Sequence, residues 1–458
     1  MKRYHEPNPL DRLFLAMDEA WRRCGLAGMD MHAHLEFDGP IDVDGLRAAL
    51  GALHRRFPAT AARLVRKPLS RRPAWRLDAG GAGSQQLVRM ETLAPPGADA
   101  LRARLEALLL ERIDYLHGPP LHLHVLRGAP PGDVLVVRWP HAFADARGGV
   151  TLIEELARLY DDADAREHTD SAGDERRGDF GALPLPANWA VAAWRWLRRA
   201  KADRAPDAWN EVRLCPPAFD ARGQAPRMFV RRLDPDQMAR VREASLRVAG
   251  FARLADFLRA GVVRAVDDVA GRPRGPHDGY TTLHIVENRR KRDPGPVCHN
   301  VFSTVPVHVP AALAQDRRAV ADLIRDRTLA AMGAGLFERR LAGLTLLGAL
   351  PEGLVGWMMA RSRRGRGGGL PLGLSSAPSA PLGFIGGFAE PHERMFGARL
   401  LNIYGIPATS PRAGFTLNVN VVADRMNIAG VYLPSQMPEE RIERLVDRYV
   451  AAIVDPTP

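Results

Sequence analysis

The sequence predicts a mixed α/β protein with strands and helices layered in two domains. The chain has 458 residues. This length exceeds that of a domain with a single hydrophobic core and suits two domains of about 200 residues each. Strand-like and helix-like patterns alternate in both halves, as α/β and α+β folds require. Residues 161–186 are polar and lack a hydrophobic period, and the stretch from Pro216 to Pro226 is a second connector. We therefore place one domain at 1–215, a linker at 216–225 and a second domain at 226–458.

In the first half, short apolar or alternating runs predict strands, and apolar residues three or four positions apart predict helices. The predicted strands cover 32–37, 121–126 and 134–139, and the predicted helices lie around 46–53, 101–109 and 152–160. Residues Val134 to Trp139 form a nearly unbroken apolar run, so we expect this strand to lie inside a sheet.

The same patterns recur in the second half. They predict a helix at 254–265, strands at 281–286 and 302–309, a hairpin of 416–422 and 426–432 that turns at Asp424-Arg425, and a closing helix at 442–453. Residues 361–381 are rich in Gly, Pro, Ser and Arg, so we expect a loop there. A Trp- and Arg-rich helix at 189–200 either rests on a membrane, lines an acyl tunnel or packs on its domain.

The chain is basic, with a formal net charge of +11 from 64 basic and 53 acidic residues. This balance favours phosphates, an acidic carrier protein, an anionic membrane surface or nucleic acid as partners, unless it only reflects an Arg-rich proteome. The basic run at 288–292 lacks the interleaved aromatic residues that stack on bases, so we expect no nucleic acid partner.

The cysteines and the N-terminus bear on the compartment. Cys24, Cys215 and Cys298 lie far apart and form neither a disulfide framework nor a zinc pattern. The charged N-terminal residues are not followed by an apolar stretch, unlike those of a signal peptide. We expect a cytoplasmic protein and a monomer.

Residues 341–360 resemble a membrane span in length and carry basic residues on both flanks. Pro351 and Glu352 lie at the centre of the segment, where a proline breaks a helix and a charge is costly. We therefore expect a buried helix pair or a surface that contacts lipid, which leaves peripheral membrane association open.

Two pairs of histidines are candidate metal ligands. His32 with His34, and His122 with His124, each place two imidazoles on one face of a predicted strand. Neither a carboxylate nor a cysteine completes a ligand set near them in the sequence. We expect no metal at either pair.

The strongest candidate for catalysis is His141, which directly follows the predicted interior strand and precedes a predicted helix. A strand end holds a side chain rigidly, and an imidazole suits general-base work on a hydroxyl or amine. Asp145 follows four residues later, and Gly148 and Gly149 allow the backbone to turn closely. Taken alone, this pattern also fits a structural histidine that caps a turn.

The string Pro140-His141-Ala142-Phe143-Ala144-Asp145-Ala146 resembles the His-His-x-x-x-Asp-Gly motif of the superfamily of condensation domains and wax ester synthase/diacylglycerol acyltransferases. The opening residues 8–15, the block 46–58 and the run 118–125 are also similar to that superfamily. In the second half, 287–290 and 299–303 resemble its Asn-x-Arg and Gly-Asn segments. The resemblance covers nearly the whole chain and implies two chloramphenicol acetyltransferase-like lobes that form a pseudo-dimer around a central channel.

This sequence departs from the family pattern at several positions. Pro140 replaces the first histidine of the motif, Ala146 replaces its glycine, and His299 replaces the glycine before Asn300. The second histidine, to which the family's base role belongs, is present as His141.

The resemblance implies acyl transfer from a thioester donor to a hydroxyl or amine, with His141 as the general base. The donor is acyl-coenzyme A or a phosphopantetheinyl carrier protein, which serves as co-substrate, and no further cofactor is expected. Asp145 is assigned a structural role, paired with Arg56. Residues assigned to the donor or substrate are Gly148, Gly149, Asn300, Ser303 and Arg289.

Finer expectations follow for the oxyanion and the donor. The oxyanion donors are either backbone N–H groups near Gly148 and Gly149 or a side chain of the second lobe. The basic run at 289–292 is expected to attract phosphate at the donor entrance. Two alternatives to an ester-forming enzyme remain open, which are a free-standing nonribosomal peptide condensation enzyme and a non-catalytic carrier-binding relative.

Overall fold

The computed structural model describes most of the chain. The described residues are 4–23, 25–67, 72–77, 87–167, 190–191, 194, 209–215, 223–271, 274–287, 298, 300, 302–348, 354, 379–385, 393–408 and 413–454.

Strands and helices alternate along the chain. The strands are β1 (Tyr4–His5), β2 (Asp30–Phe37), β3 (Arg63–Arg66), β4 (Pro73–Arg76), β5 (Val88–Thr92), β6 (His122–Arg127), β7 (Val134–Pro140), β8 (Asn210–Glu211), β9 (Arg227–Leu233), β10 (Asp278–Glu287), β11 (Phe302–Pro310), β12 (Leu382–Ile385), β13 (Arg394–Met395), β14 (Ala398–Ile406), β15 (Phe415–Val422) and β16 (Arg425–Tyr432). The helices are α1 (Pro9–Arg22), α2 (Val43–Arg56), α3 (Ala98–Leu108), α4 (Ala146–Asp161), α5 (Ala163–Glu167), α6 (Pro235–Val248), α7 (Leu254–Ala270), α8 (Arg317–Gly333), α9 (Leu336–Gly348) and α10 (Glu439–Val454).

A six-stranded sheet dominates the first half, in the order β13-β14-β2-β7-β6-β5. Strand β2 lies in its interior and is buried along its whole length. Because side chains alternate along a strand, Met31, Leu35 and Phe37 enter the core that also holds residues of α2 and α4. The polar residues between them therefore lie on the opposite face of the sheet.

The second half contains two smaller sheets, in the orders β11-β10-β8 and β12-β15-β16-β9. Helices α7 and α10 pack against each other, and residues from both join the strands in one core. Gly261 permits the close approach of these helices, because a Cβ there would lie 2.7 Å from Cγ2 of Ile453. The α/β layering predicted for both halves is confirmed.

The sheets do not respect the predicted boundary between domains. Strand β14 comes from the second half but pairs with β2 of the first half, and β8, before the predicted linker, pairs with β10 after it. A side-chain bond also joins β16 to β14, because Nδ2 of Asn427 donates to Oδ1 of Asn402 at 2.8 Å. Two of the sheets therefore contain strands from both sides of the predicted linker at 216–225.

Each strand and helix predicted within the described residues is present, although the hairpin turn is displaced. Val422 pairs with Arg425, so the turn residues are Ala423 and Asp424 and not Asp424 and Arg425. Ala423 has a φ of +52°, which is the left-handed region that tight turns use. The predicted helix at 189–200, the loop at 361–381 and the connector at 216–225 lie mostly outside the described residues.

Within the described ranges, no helix is both long enough and apolar enough to span a membrane. The described start of the apolar segment at 341–360 belongs to α9, which packs on α1. Leu344 is buried there with Leu13 and Phe14, as expected of a buried helix.

Candidate active site

His141 is held at the point where β7 leaves the sheet. The last pair of β2 and β7 joins Asp30 to Pro140, and the N–H of His141 donates to the carbonyl of Met29 at 2.8 Å. Phe143 N donates back to the carbonyl of Pro140 at 2.8 Å, which closes a turn. The backbone of His141 is therefore fixed by an interior strand, as the sequence predicted.

The turn after His141 leads directly into α4. Asp145 is the N-cap of this helix, and its Oδ1 accepts from Gly148 N at 2.8 Å. Gly149 is required at its position, because a Cβ there would lie 2.1 Å from Cζ2 of Trp139. Trp139 in turn donates its Nε1–H to the carbonyl of Ala144 at 3.1 Å. The residues around His141 thus pack into one rigid strand–turn–helix unit.

The N–H groups of Gly148 and Gly149, near one of the two places where oxyanion donors were expected, already have acceptors. Gly148 N donates to the Asp145 carboxylate and Gly149 N donates to the Asp145 carbonyl at 2.9 Å. Both glycines are buried, and their N–H groups serve the helix start. A side chain of the second half remains the other expectation for this role.

Arg56 does not form the predicted ion pair with Asp145 but pairs with another residue. Arg56, at the C-terminal end of α2, forms an ion pair with Glu155 on α4, with Nε–Oε1 at 2.6 Å. The reason is reach, because Glu155 lies almost three helical turns beyond Asp145 along α4. Arg56 therefore fastens α2 to α4, while the described role of Asp145 is that of a helix cap.

The imidazole of His141 lies against aromatic side chains from both halves of the chain. Phe14 of α1 stacks on it with centroids 3.9 Å apart and an interplanar angle of 10°. Phe302 of β11 lies 6.1 Å away at 42°. Although the residue as a whole is partly exposed, burial of the ring lowers the pKa of His141, and the Asp145 charge opposes this. The imidazole is consequently neutral at neutral pH, the form that a general base needs.

Asn300 connects the two halves at His141. Its Nδ2 donates to the carbonyl of His141 at 2.6 Å and to Oδ1 of Asp11 at 2.9 Å. Its backbone N–H donates to the same Asp11 oxygen at 3.0 Å, and its carbonyl accepts from Asn8 Nδ2 at 3.1 Å. The structure thus brings Asn300 and His141 together, although it surrounds Asn300 completely with protein.

The other predicted binding residues are more distant or not described. Ser303 is buried in β11, where it pairs with Val286 of β10. Arg289 and the rest of the basic run at 289–292 lie outside the described residues.

Sequence reasoning missed Asp11 and Phe14 as parts of this site. The spacing of Asn8 and Asp11 forms a capping box, with Asn8 as the N-cap of α1 and reciprocal bonds between the two residues. That pattern is readable as a helix start. The contacts of this helix with His141 and Asn300 depend on tertiary packing, which no local pattern records.

The two histidine pairs surround an arginine. Nε of Arg138 donates to Nε2 of His32 at 3.3 Å, and its Nη1 lies 3.5 Å from Nε2 of His124. Arg138 also lies 3.7 Å from an oxygen of Asp30. Since a guanidinium only donates, the imidazole nitrogens that face it are acceptors. The cation between these imidazoles is therefore a side chain of the protein.

No protein-family model matches the sequence, and no curated protein matches it. Solved structures do match. One is the first condensation domain of the calcium-dependent antibiotic synthetase in complex with a substrate analogue, with a TM-score of 0.68, 14% identity, and coverage of 100% of this chain and 98% of that chain. A second is the trichothecene 15-O-acetyltransferase from Fusarium sporotrichioides, with a TM-score of 0.69, 12% identity, and coverage of 97% and 93%.

A third similar structure is the starter condensation domain of rhizomide synthetase, a mutant in complex with C8-CoA and Leu-SNAC. It has a TM-score of 0.63, 13% identity, and coverage of 99% of this chain and 94% of that chain. These similarities extend over the whole chain and establish its fold. The chain therefore has the mixed α/β, chloramphenicol acetyltransferase-like fold of these condensation domains and this acetyltransferase.

Proposed function

We propose that this protein is an acyltransferase that moves an acyl group from a thioester donor to a hydroxyl or amine acceptor. The observation that carries the proposal is the neutral imidazole of His141, held at the end of an interior strand where both halves of the chain meet. A rigidly held, uncharged imidazole on a partly exposed residue is suited to take a proton from an attacking group.

In the proposed reaction, His141 removes the acceptor's proton as the acceptor oxygen or nitrogen attacks the thioester carbonyl. A tetrahedral intermediate forms, and its collapse breaks the carbon–sulfur bond. The imidazolium then returns the proton to the departing thiolate, so that a free thiol and an ester or amide leave the site. This sequence requires neither a covalent enzyme intermediate nor a metal.

The donor is proposed to be acyl-coenzyme A or an acyl group on a phosphopantetheinyl carrier. The rhizomide synthetase neighbour is described with C8-CoA and Leu-SNAC, which supports a thioester donor in this fold. The net charge of +11 favours the phosphates of such donors. The basic run at 289–292 remains a proposed contact for them.

Two alternatives follow from specific observations. The condensation-domain neighbours favour a free-standing peptide condensation enzyme, in which the acceptor is an amine on a second carrier. Pro140, which pairs with Asp30 as the last residue of β7, lacks any acid–base group at the family's first histidine position. This favours a non-catalytic relative that binds a carrier protein.

The test is release of thiol from short- and long-chain acyl-coenzyme A in the presence of a panel of alcohols and amines. We expect His141→Gln to lower the transfer rate by roughly 10²–10⁴-fold, the usual contribution of general-base catalysis. His117→Gln is the matched control, because His117 is exposed and pairs with Asp114 on the surface. Full activity in His141→Gln would remove the assignment of the base. Tight carrier binding without any turnover by the wild-type protein would support the non-catalytic relative.

A further inference from the structure

Phe14 lies flat against the imidazole of His141. The two ring centroids are 3.9 Å apart, and the ring planes differ by 10°. Uncharged aromatic rings favour offset or edge-to-face contacts over a close face-to-face stack, and Phe37 and Phe396 meet edge-on at 87°. A cation, by contrast, is attracted most strongly when it lies over the face of an aromatic ring, within about 6 Å of the centroid. The stack on His141 is therefore well suited to a charged imidazole.

Such a charge arises during the proposed reaction, because His141 becomes an imidazolium while it holds the acceptor's proton. A charge on a buried ring is costly, since the ring loses its contact with water, and burial accordingly lowers the pKa of His141. The histidine's own carbonyl, the Asp145 and Asp11 carboxylates and the Asn300 side chain raise this pKa. Asp145 also caps α4, and Asp11 also accepts from the N–H groups of Asn300.

We propose that Phe14 is a positioning residue whose ring face stabilises the imidazolium of His141 when this base takes the acceptor's proton. The catalytic part of the inference rests on the proposed function. The attraction between the two rings does not, because acid also protonates His141 in the absence of substrate.

Helix α1 fixes the ring of Phe14 in this place. Asp11, Phe14 and Asp18 recur at helical spacing, so they share one face of α1. Oδ1 of Asp18 accepts from Met29 N at 2.6 Å, and the carbonyl of Met29 accepts from His141 N at 2.8 Å. Asp11 binds the second half of the chain through its two bonds to one residue there. The helix is thus fastened on both sides of Phe14, and one face of the imidazole is covered.

Phe302 also contacts His141 but does not share this geometry. Its centroid lies 6.1 Å from that of the imidazole, and its plane is tilted by 42°. This distance is at the limit of the range in which a ring attracts a cation. The geometry therefore assigns the role to Phe14.

The first experiment replaces Phe14 in the full chain by 4-fluoro-, 3,5-difluoro- and 3,4,5-trifluorophenylalanine. Fluorine withdraws electrons from the ring face and changes the size of the side chain little, so the series varies the attraction at nearly constant packing. The pKa of His141 is measured by NMR titration of its imidazole C–H resonances without substrate, and these are identified as the resonances lost in His141→Gln. We expect the pKa to fall with each added fluorine. An equal pKa throughout the series would overturn the proposal.

Phe14→Leu gives the second readout, because leucine keeps the site apolar but removes the aromatic face. We expect the pKa of His141 to fall by about one pH unit. We also expect kcat for thioester cleavage to fall about 10-fold, while KM changes less than about 3-fold. A rise of the pKa would mean that Phe14 acts only by excluding water, and this result would overturn the proposal as well.

Phe37→Leu is the matched control, because Phe37 is a buried phenylalanine at the opposite end of β2 from the residues that hold His141. We expect it to lower the melting temperature and to leave the pKa of His141 and kcat unchanged. An equal loss of kcat in this control would assign the effect of Phe14→Leu to general destabilisation and overturn the positioning role. If His141→Gln retains full transfer activity, the proposed function fails, whatever the fluorinated series shows.

Discussion

His32 lies within the ladder of strands β2 and β7, and His141 lies directly after it, in different surroundings. His32 pairs with Arg138 within the β2–β7 ladder, and the guanidinium donates to its ring. His141 lies three residues beyond Arg138, where the ladder has ended, and contacts Phe14 instead. Burial lowers the pKa of both histidines.

This difference shows that a lowered pKa does not by itself mark the functional histidine. His32 is buried, and its ring already faces a cation. His141 retains some exposure and meets groups from both halves of the chain. Partial exposure and contacts with both halves of the chain therefore distinguish the proposed base from the buried His32.

Around His32, the substitution expected to lower the free energy of unfolding most is Arg138→Met. Arg138 is buried and lies near His32, His124 and Asp30. Removing one partner of a buried charged group typically costs about 3–5 kcal/mol. We expect chemical denaturation to show a loss of this size in the free energy of unfolding.

Arg23→Met is the control for this variant, because Arg23 pairs with Glu19 on the surface beside α1. Exposed ion pairs contribute about 0–1 kcal/mol. Equal stability of the two variants would mean that the polar cluster around Arg138 contributes little to the fold.

Acid should destabilise the protein through its buried histidines. Burial lowers the pKa of His34 to about 3 and those of His54 and His124 to about 4. Below pH 6.5 these histidines become protonated in the unfolded chain while they remain neutral in the folded protein. The free energy of unfolding therefore falls by about 1.4 kcal/mol per pH unit for each such histidine. Burial acts oppositely on Asp30, whose pKa it raises to about 7, so that this carboxyl offsets one histidine.

The measurement is the free energy of unfolding between pH 7 and pH 5. We expect a net decrease, since the buried histidines outnumber Asp30. His34→Leu is the test variant, because neither ring nitrogen of His34 has a partner among the described residues. This variant should be less sensitive to acid by about 1.4 kcal/mol per pH unit. An identical pH dependence in both proteins would contradict the account for His34.

Much of the fold could be predicted from local patterns. The apolar run at Val134 to Trp139 is an interior strand, and the stripe at 254–265 is part of a buried helix. Strand β14 was not predicted, because its pairing with β2 depends on a residue separation that no local pattern encodes. Helix α8, with its alternating charges, lacks a clear apolar stripe and was missed for that reason.

The candidate site was only partly predictable. His141 was identified because a strand end and a family-like motif coincide there. Arg56 pairs with Glu155 and not with Asp145, and the N–H groups of Gly148 and Gly149 bond to Asp145 at the helix start. The motif specifies residue types and does not record these partners. Phe14 and Asp11 come from a part of the chain more than 120 residues away from His141, so only the folded structure shows their contacts with His141 and Asn300.

The central claim is that His141 acts as a neutral general base, and the pH dependence of kcat/KM for thioester cleavage tests it most directly. Burial lowers the pKa of His141 below 6.5, so the neutral base persists at neutral pH and is lost only as the pH falls further. We predict that kcat/KM is constant from pH 7 to 8, that it falls on the acid side with a midpoint below 6.5, and that the residual activity of His141→Gln lacks this limb. A midpoint above 7, or the same acid limb in His141→Gln, would contradict the account.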